Sequence, residues 1–292
     1  MTEHFTRLQQ DFATDWPGPV GPAITLSNQD LTLSIYPDDG CRIRSMQAFG
    51  METLRPWEQG KRAFQYGCFP MVPWVGRVEN GVFYHEGIRY QLPQNKFPHA
   101  MHGIACMQRW EVLYATKTQA LFRIELSDPW PFTGSVLYEV RLKGNNVIMK
   151  LSIFTAERAF PASAGWHPWF KKQLDGAEEN QLLITFRADW QEEPGNNEVP
   201  TGNRVAPGNG PWDDTFGFNC GANVSLYWGS KLTLNISSTG HYLTVFDKQP
   251  DATCVNTLTD RPNGINSHQV YLTTPDQPTE ITSILTFTRG IA

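Results

Sequence analysis

The sequence predicts an all-β protein, a large antiparallel β-sandwich or barrel. Three observations carry this reading. Apolar and polar residues alternate with period two in one segment after another. The 24 Gly and 21 Pro are scattered at short intervals, as turns between many strands require, rather than gathered into a linker. Helical spacing is scarce: Phe5, Leu8 and Phe12 follow it, and they predict one short amphipathic helix within an N-terminal extension over residues 1–20.

The elements follow in chain order. Leu31-Thr32-Leu33-Ser34-Ile35 alternates throughout and reads as a strand. Ala120–Leu126 puts Phe122, Ile124 and Leu126 on one face. Val136, Tyr138, Val140 and Leu142 do the same in the next strand. Gly144-Asn145-Asn146 then turns the chain into Val147–Ile153, which makes a long hairpin. Lys231–Ser237 alternates again, and Glu280–Thr288 reads as the last strand. Gln191–Gly210, rich in Pro, Gly and Asn, and the polar Val255–Ser267 read as long loops, where sites on a rigid β scaffold tend to sit. No repeat of fixed period and no low-complexity stretch divides the 292 residues, so one domain over residues 1–292 is expected.

Bulk properties exclude several function classes. The formal net charge is −5 and no block of Lys and Arg occurs, which argues against nucleic acid or an anionic membrane as partner. No apolar run is long enough to span a bilayer. Met1–Pro17 is charged and lacks the apolar core of a signal peptide, so a cytoplasmic protein is expected. The five cysteines are isolated and form no CxxC pair, so they read as reduced core thiols rather than as a metal site or a disulfide framework. No heptad pattern commits the chain to a coiled coil, and a monomer or homodimer is expected.

Candidate chemistry centres on Gly165-Trp166-His167-Pro168-Trp169-Phe170. His167 can exchange a proton near neutral pH, and the flat apolar faces of Trp166 and Trp169 suit the C–H face of a sugar ring. A core histidine among packing aromatics is the competing reading of that residue alone. Arg77 follows an apolar run with two prolines, and its rigid donor fork suits hydroxyls and carboxylates. His102 lies in Met101-His102-Gly103. Asp213, between Trp212 and Phe216 in sequence, can accept hydrogen bonds from a polyol.

Taken in order, Pro73-x-x-Gly76-Arg77, Gly81-x-Phe83 to Tyr90-x-Leu92, Met101-His102-Gly103, Gly165–Phe170 and Asp213-x-x-Phe216 resemble the aldose 1-epimerase (galactose mutarotase-like) family. The resemblance runs from about residue 20 to residue 290. It implies an antiparallel supersandwich with a sugar cleft on its concave side, a free aldose as ligand, and interconversion of its α and β anomers by acid–base ring opening. It implies neither cofactor nor metal. His167 matches the family's acid, His102 the second histidine that polarises the ring oxygen, and Arg77 and Asp213 match positions that bind sugar hydroxyls.

Two departures stand out. The family's base is a glutamate; the matching segment here reads Cys254-Val255-Asn256-Thr257, with Asn256 in its place. An amide cannot take the proton, although it can hydrogen-bond the C1 hydroxyl. Two readings follow: a mutarotase, with a substitute base such as Asp260 or Asp247 or with His167 acting through water, or a sugar-binding member with little or no turnover. The second departure is Gly76, where the family usually has Asn. An acidic or phosphorylated sugar would require further cations near Arg77, with Lys61, Arg62 and Lys171 as the candidates. The geometry expected of this alignment is Asn256 beside His167.

Overall fold

A computed structural model describes residues 21–61, 63–175 and 182–290. The N-terminal helix expected around Phe5–Phe12 lies outside the described residues. The architecture is two large antiparallel sheets. The larger has eleven strands, with Gly165–Lys171 and Ala252–Leu258 near its centre. Along it the order is 24–27, 31–36, 42–48, 68–71, 165–171, 252–258, 242–246, 213–217, 190–192 and 204–205, and Met51–Glu52 pairs separately with Arg42–Ala48. The second has eight strands and contains the long hairpin Gly134–Lys143 with Asn146–Phe154, whose register closes at Lys143↔Asn146.

Alternation explains the core. Leu31, Leu33 and Ile35 are fully or almost fully buried, and so are Val136, Tyr138 and Val140. Trp166, Phe170, Leu243, Val245 and Val255 come down from the larger sheet into the same core. Polar side chains between the sheets are satisfied across the gap: the Thr257 and Ser283 hydroxyls lie 2.9 Å apart. The last strand runs Thr279–Arg289, where Glu280–Thr288 was expected.

Val255–Ser267 departs from the sequence reading. Ala252–Leu258 is a central strand, and every residue in it is buried. It is covered on both faces, so the polar–apolar alternation that marks a half-exposed strand is absent. Gln191–Gly210 is largely irregular, as expected, but Trp190–Glu192 and Arg204–Val205 pair at its ends as the outermost strands of the larger sheet.

The face of the larger sheet turned away from the second sheet carries its own apolar cluster, including Phe64, Tyr66, Phe69, Trp169, Tyr242 and Cys254. Val75, Met101, Cys106 and Met107 join this cluster from the 73–110 segment. Among the described residues no helix is long and apolar enough to cross a membrane.

Candidate functional site

One row of side chains crosses the outer face, and strand register builds it. Gly165↔Leu258 and Trp169↔Cys254 are partners, which sets His167 in line with Asn256. Facing residues on adjacent antiparallel strands have Cβ atoms about 5 Å apart and point to the same side. On one flank, His167 pairs with Phe69, and Ile43↔Cys68 brings Arg42 next to Phe69. On the other, Asn256 pairs with Thr244, Thr244 with Thr215, and the next position out holds Glu192. The row therefore reads Arg42, Phe69, His167, Asn256, Thr244, Thr215, Glu192. Its members are scattered from position 42 to 256, and sheet order alone assembles them.

Ring geometry agrees with this register. His167 stacks on Phe69 at 4.8 Å and 13°, and the Arg42 guanidinium sits 4.6 Å from the far ring. His102 meets His167 edge-on at 4.9 Å. It is held there by Phe64, also edge-on at 5.0 Å, and by the backbone N–H of His102 donating to the Gly76 carbonyl at 2.9 Å. Gly76 has φ +59°, and a Cβ there would fall 2.7 Å from Pro262. The left-handed backbone suits Asn or Gly, and the contact with Pro262 favours Gly, which accounts for that departure from the family pattern.

The two tryptophans of the motif divide by parity. Trp166 points to the opposite face, 1% exposed and packed against Tyr138, so it belongs to the core between the sheets and not to the site. Trp169 shares the His167 face but is a buried wall. Its indole N–H donates to the Phe64 carbonyl, and Arg55 lies over its ring. Neither offers the open sugar-stacking face that the sequence suggested.

Beside the row lies a cavity of about 400 Å³, lined among others by Arg77, Glu192, Glu198, Asp213, Thr215 and Lys248. Arg77 and Asp213 are thus brought together. His102, His167 and Asn256 do not line this cavity; Asn256 stands one strand beyond Thr244, His167 two, and His102 packs against His167 from the 73–110 segment. The 193–203 loop straps across to the 76–102 segment. Glu198 pairs with Arg77 at 3.1 Å, the Asn197 carbonyl accepts from His99 Nε2 at 2.9 Å, and the Asn197 amide bonds Glu79. Glu198 adopts φ +61°, an unusual backbone for a non-glycine residue.

The electrostatics follow from burial. His167 is pushed down to about 3, chiefly by burial, with Arg42 adding repulsion. His102 is held well below the usual histidine range by burial, then by His167 and Arg77. Both rings are therefore neutral at pH 7. Nδ1 of each ring and Oδ1 of Asn256 are buried and have no hydrogen-bond partner in the protein. Clustered on one face, these three atoms leave hydrogen-bonding capacity that a polar ligand could take up. Asp213 is raised by burial, against the pull of Lys248 at 3.8 Å.

The substitute bases suggested by the sequence are committed elsewhere. Asp247 is paired with Lys172 at 2.9 Å. Asp260 accepts from the Arg261 N–H at 2.8 Å and, four residues beyond Asn256 in sequence, is outside the row. Lys61 and Lys171 pair with Glu58 and Asp175 and do not line the cavity; Arg62 is outside the described residues. The cation that does line it is Lys248, which carried no motif. Among the described residues no group of His, Cys, Asp and Glu could hold a metal ion.

The family model for aldose 1-epimerase matches residues 22–268. The chain belongs to the aldose 1-epimerase family. Curated relatives in Escherichia coli K12 include the uncharacterized proteins YphB and YihR. YphB is 28% identical over 149 residues, covering 50% of this chain and 51% of YphB. YihR is 25% identical over 115 residues, 37% of each chain. The matches thus span about half, or less, of those relatives' length. The fold is similar to that of a GalM/aldose epimerase homologue from C. elegans, with TM-score 0.79 and 13% identity over 93% of this chain and 100% of that one. It is also similar to galactose 1-epimerase from Lactobacillus acidophilus NCFM, with TM-score 0.74 and 16% identity over 91% and 94%. At such identities the likeness establishes the galactose mutarotase-like fold.

The neutral histidines carry a stability consequence. Below about pH 6.5 the unfolded chain binds a proton that folded His167 refuses, so stability falls from there down to about pH 3. The slope is about 1.4 kcal/mol per pH unit. His102 acts in the same direction, whereas Asp260, raised to about 6 by burial, gains stability as pH falls through that range. Comparing wild type with His167→Gln isolates one histidine. The variant is expected to lose about 2 kcal/mol less than wild type between pH 7 and 5 in denaturant titrations. Equal losses would show that His167 is not held neutral.

Proposed function

We propose that the outer-face cleft binds a free aldose and that this family member is primarily a sugar-binding protein with little anomer exchange of its own. One observation carries the reading: His167 stands opposite Asn256, with no carboxylate beside it in the row. Ring opening needs a base at the C1 hydroxyl and an acid at the ring oxygen. Asn256 supplies no base. It also withholds the negative charge that would keep His167 protonated, so a ring pushed down to about 3 has no imidazolium to offer at pH 7. One substitution thus removes both halves of the proton relay.

What remains suits hydroxyl recognition. Nδ1 of His102, Nδ1 of His167 and Oδ1 of Asn256 are unpartnered, and Arg77 and Asp213 add a donor fork and an acceptor in the adjoining cavity. Mutarotation proper is the second reading. It is favoured by Asp213, a carboxyl raised by burial inside the same cavity and so better suited to proton transfer than an ordinary aspartate.

The test is calorimetric titration and NMR anomer-exchange with glucose, galactose and other aldoses. Binding is expected, with exchange within about threefold of buffer, since unassisted chemistry lacks the 10²–10⁴-fold that general-base help supplies. His167→Gln is expected to weaken binding about fivefold, the loss of one buried hydrogen bond. Exchange far above the buffer rate and abolished by Asp213→Asn would establish the second reading. Absence of binding by every aldose would sink both.

A further inference from the structure

The groove on the outer face does not end at Glu192. A second cavity of about 410 Å³ lies beyond it, lined by Trp190, Arg204, Tyr242, Arg261, Gln269 and Tyr271 among others. The two cavities share a wall. Glu192 lines the first, and residues of the second hold both its oxygens: Trp190 Nε1 donates to Oε1 at 2.9 Å, and Arg261 Nε lies 3.3 Å from Oε2. Register gives the spacing. Leu258, Tyr242, Gly217 and Trp190 form a row two residues along each strand from the Asn256, Thr244, Thr215 row. That step is about 7 Å, short enough for neighbouring units of one glycan to occupy both rows.

The composition of the second cavity indicates what it takes. Trp190 lies flat over Gly217, where a Cβ would sit 1.9 Å from the indole, and the Arg204 guanidinium caps it at 3.8 Å. That stack fixes Arg204 in place. Arg204 is exposed and makes no ion pair among the described residues, so its donors face the cavity uncommitted. Arg261 is different, since its charge is balanced by Glu192. Tyr271 is 44% exposed and presents a free aromatic face, and Asn219 and Gln269 add amides. An open aromatic face beside planar hydrogen-bonding groups, the Arg204 fork among them, suits a hydroxyl-rich ring.

We propose that this cavity is a second sugar subsite, so that the groove accepts a glycan of at least two units. The reducing-end ring occupies the first cavity, beside Arg77 and Asp213, and the next ring lies between Tyr271 and Arg204. This rests on reading the first cavity as an aldose site.

The test titrates glucose and galactose, then maltose, cellobiose, lactose and galactobiose, into wild type, Arg204→Gln and Tyr271→Ala. Both substituted side chains are exposed, so folding is expected to survive. At least one disaccharide is expected to bind roughly tenfold more tightly than its reducing-end monosaccharide. Each variant is expected to remove most of that gain while leaving monosaccharide affinity within about twofold. The proposal is overturned if no disaccharide exceeds its monosaccharide, or if the gain survives both variants. If monosaccharides fail to bind at all, the aldose reading falls by itself. The second subsite then stands if Tyr271→Ala weakens disaccharide binding, and falls if it does not.

Discussion

Asn256→Glu is expected to accelerate anomer exchange of a bound aldose by roughly 10²–10⁴-fold over wild type at pH 7. Two effects combine. The carboxylate supplies the missing base at the C1 hydroxyl. It also places a negative charge in register with His167. At about 5 Å and an effective dielectric constant near 20, that charge is worth about 3 kcal/mol, or roughly two pK units. His167 then moves from about 3 toward the range in which imidazolium is populated. The gain has a structural cost, because position 256 is 4% exposed and glutamate adds a methylene and a charge there. A loss of about 1–3 kcal/mol in stability is expected. Asn256→Gln, with equal bulk and no charge, controls for size. Exchange NMR and imidazole titration of the variants provide the readouts. If Asn256→Glu folds and binds sugar yet exchanges at the wild-type rate, Asn256 is not what silences the relay.

Position 256 also shows how far residue order can predict a site. Strands exposed on one face announce themselves by alternation, which is why Leu31–Ile35 and the Val136–Ile153 hairpin were readable. Val255–Leu258, in a strand buried on both faces, lacks that signal and reads as part of a loop. His167 was found because a titratable ring among aromatics is conspicuous. Arg42, Phe69, Thr244, Thr215 and Glu192 carry no such signal, because each belongs to a strand distant in sequence and no local motif links them. Parity decides Trp166. In a strand, neighbours face opposite sides, so if His167 faces a cleft, Trp166 cannot. The Arg77–Glu198 contact was hidden for another reason: it depends on how an irregular loop crosses the cleft, and no periodicity encodes that path.

Arg42→Met is expected to destabilise the fold by about 3–5 kcal/mol in denaturant titration. Arg42 is completely buried, with Nε 3.3 Å from Asp39 and Nη1 donating to the Tyr66 carbonyl at 3.0 Å. The Tyr66 hydroxyl in turn donates to Asp39 at 2.7 Å. Removing the cation leaves Asp39 desolvated, with the Tyr66 hydroxyl as donor and Arg44 as the remaining nearby cation. Burial already raises the Asp39 carboxyl, and Arg42 is foremost among the groups that pull it back down. The expected cost is therefore that of a stranded charge rather than the net worth of the pair. Asp39→Asn in the Arg42→Met background tests this distinction, because it removes the stranded charge and is expected to recover a large part of the loss. If the double variant is as unstable as Arg42→Met alone, lost packing of the guanidinium over Tyr66 and Phe69 is the cause instead. The same variant reports on the site. Without Arg42 behind Phe69, repulsion of the His167 imidazolium weakens, and its titration is expected to move upward while staying below 6.5, because burial is the larger cause. An unchanged His167 titration would mean that the guanidinium supports Phe69 mechanically and leaves the proton affinity of the ring beyond it untouched.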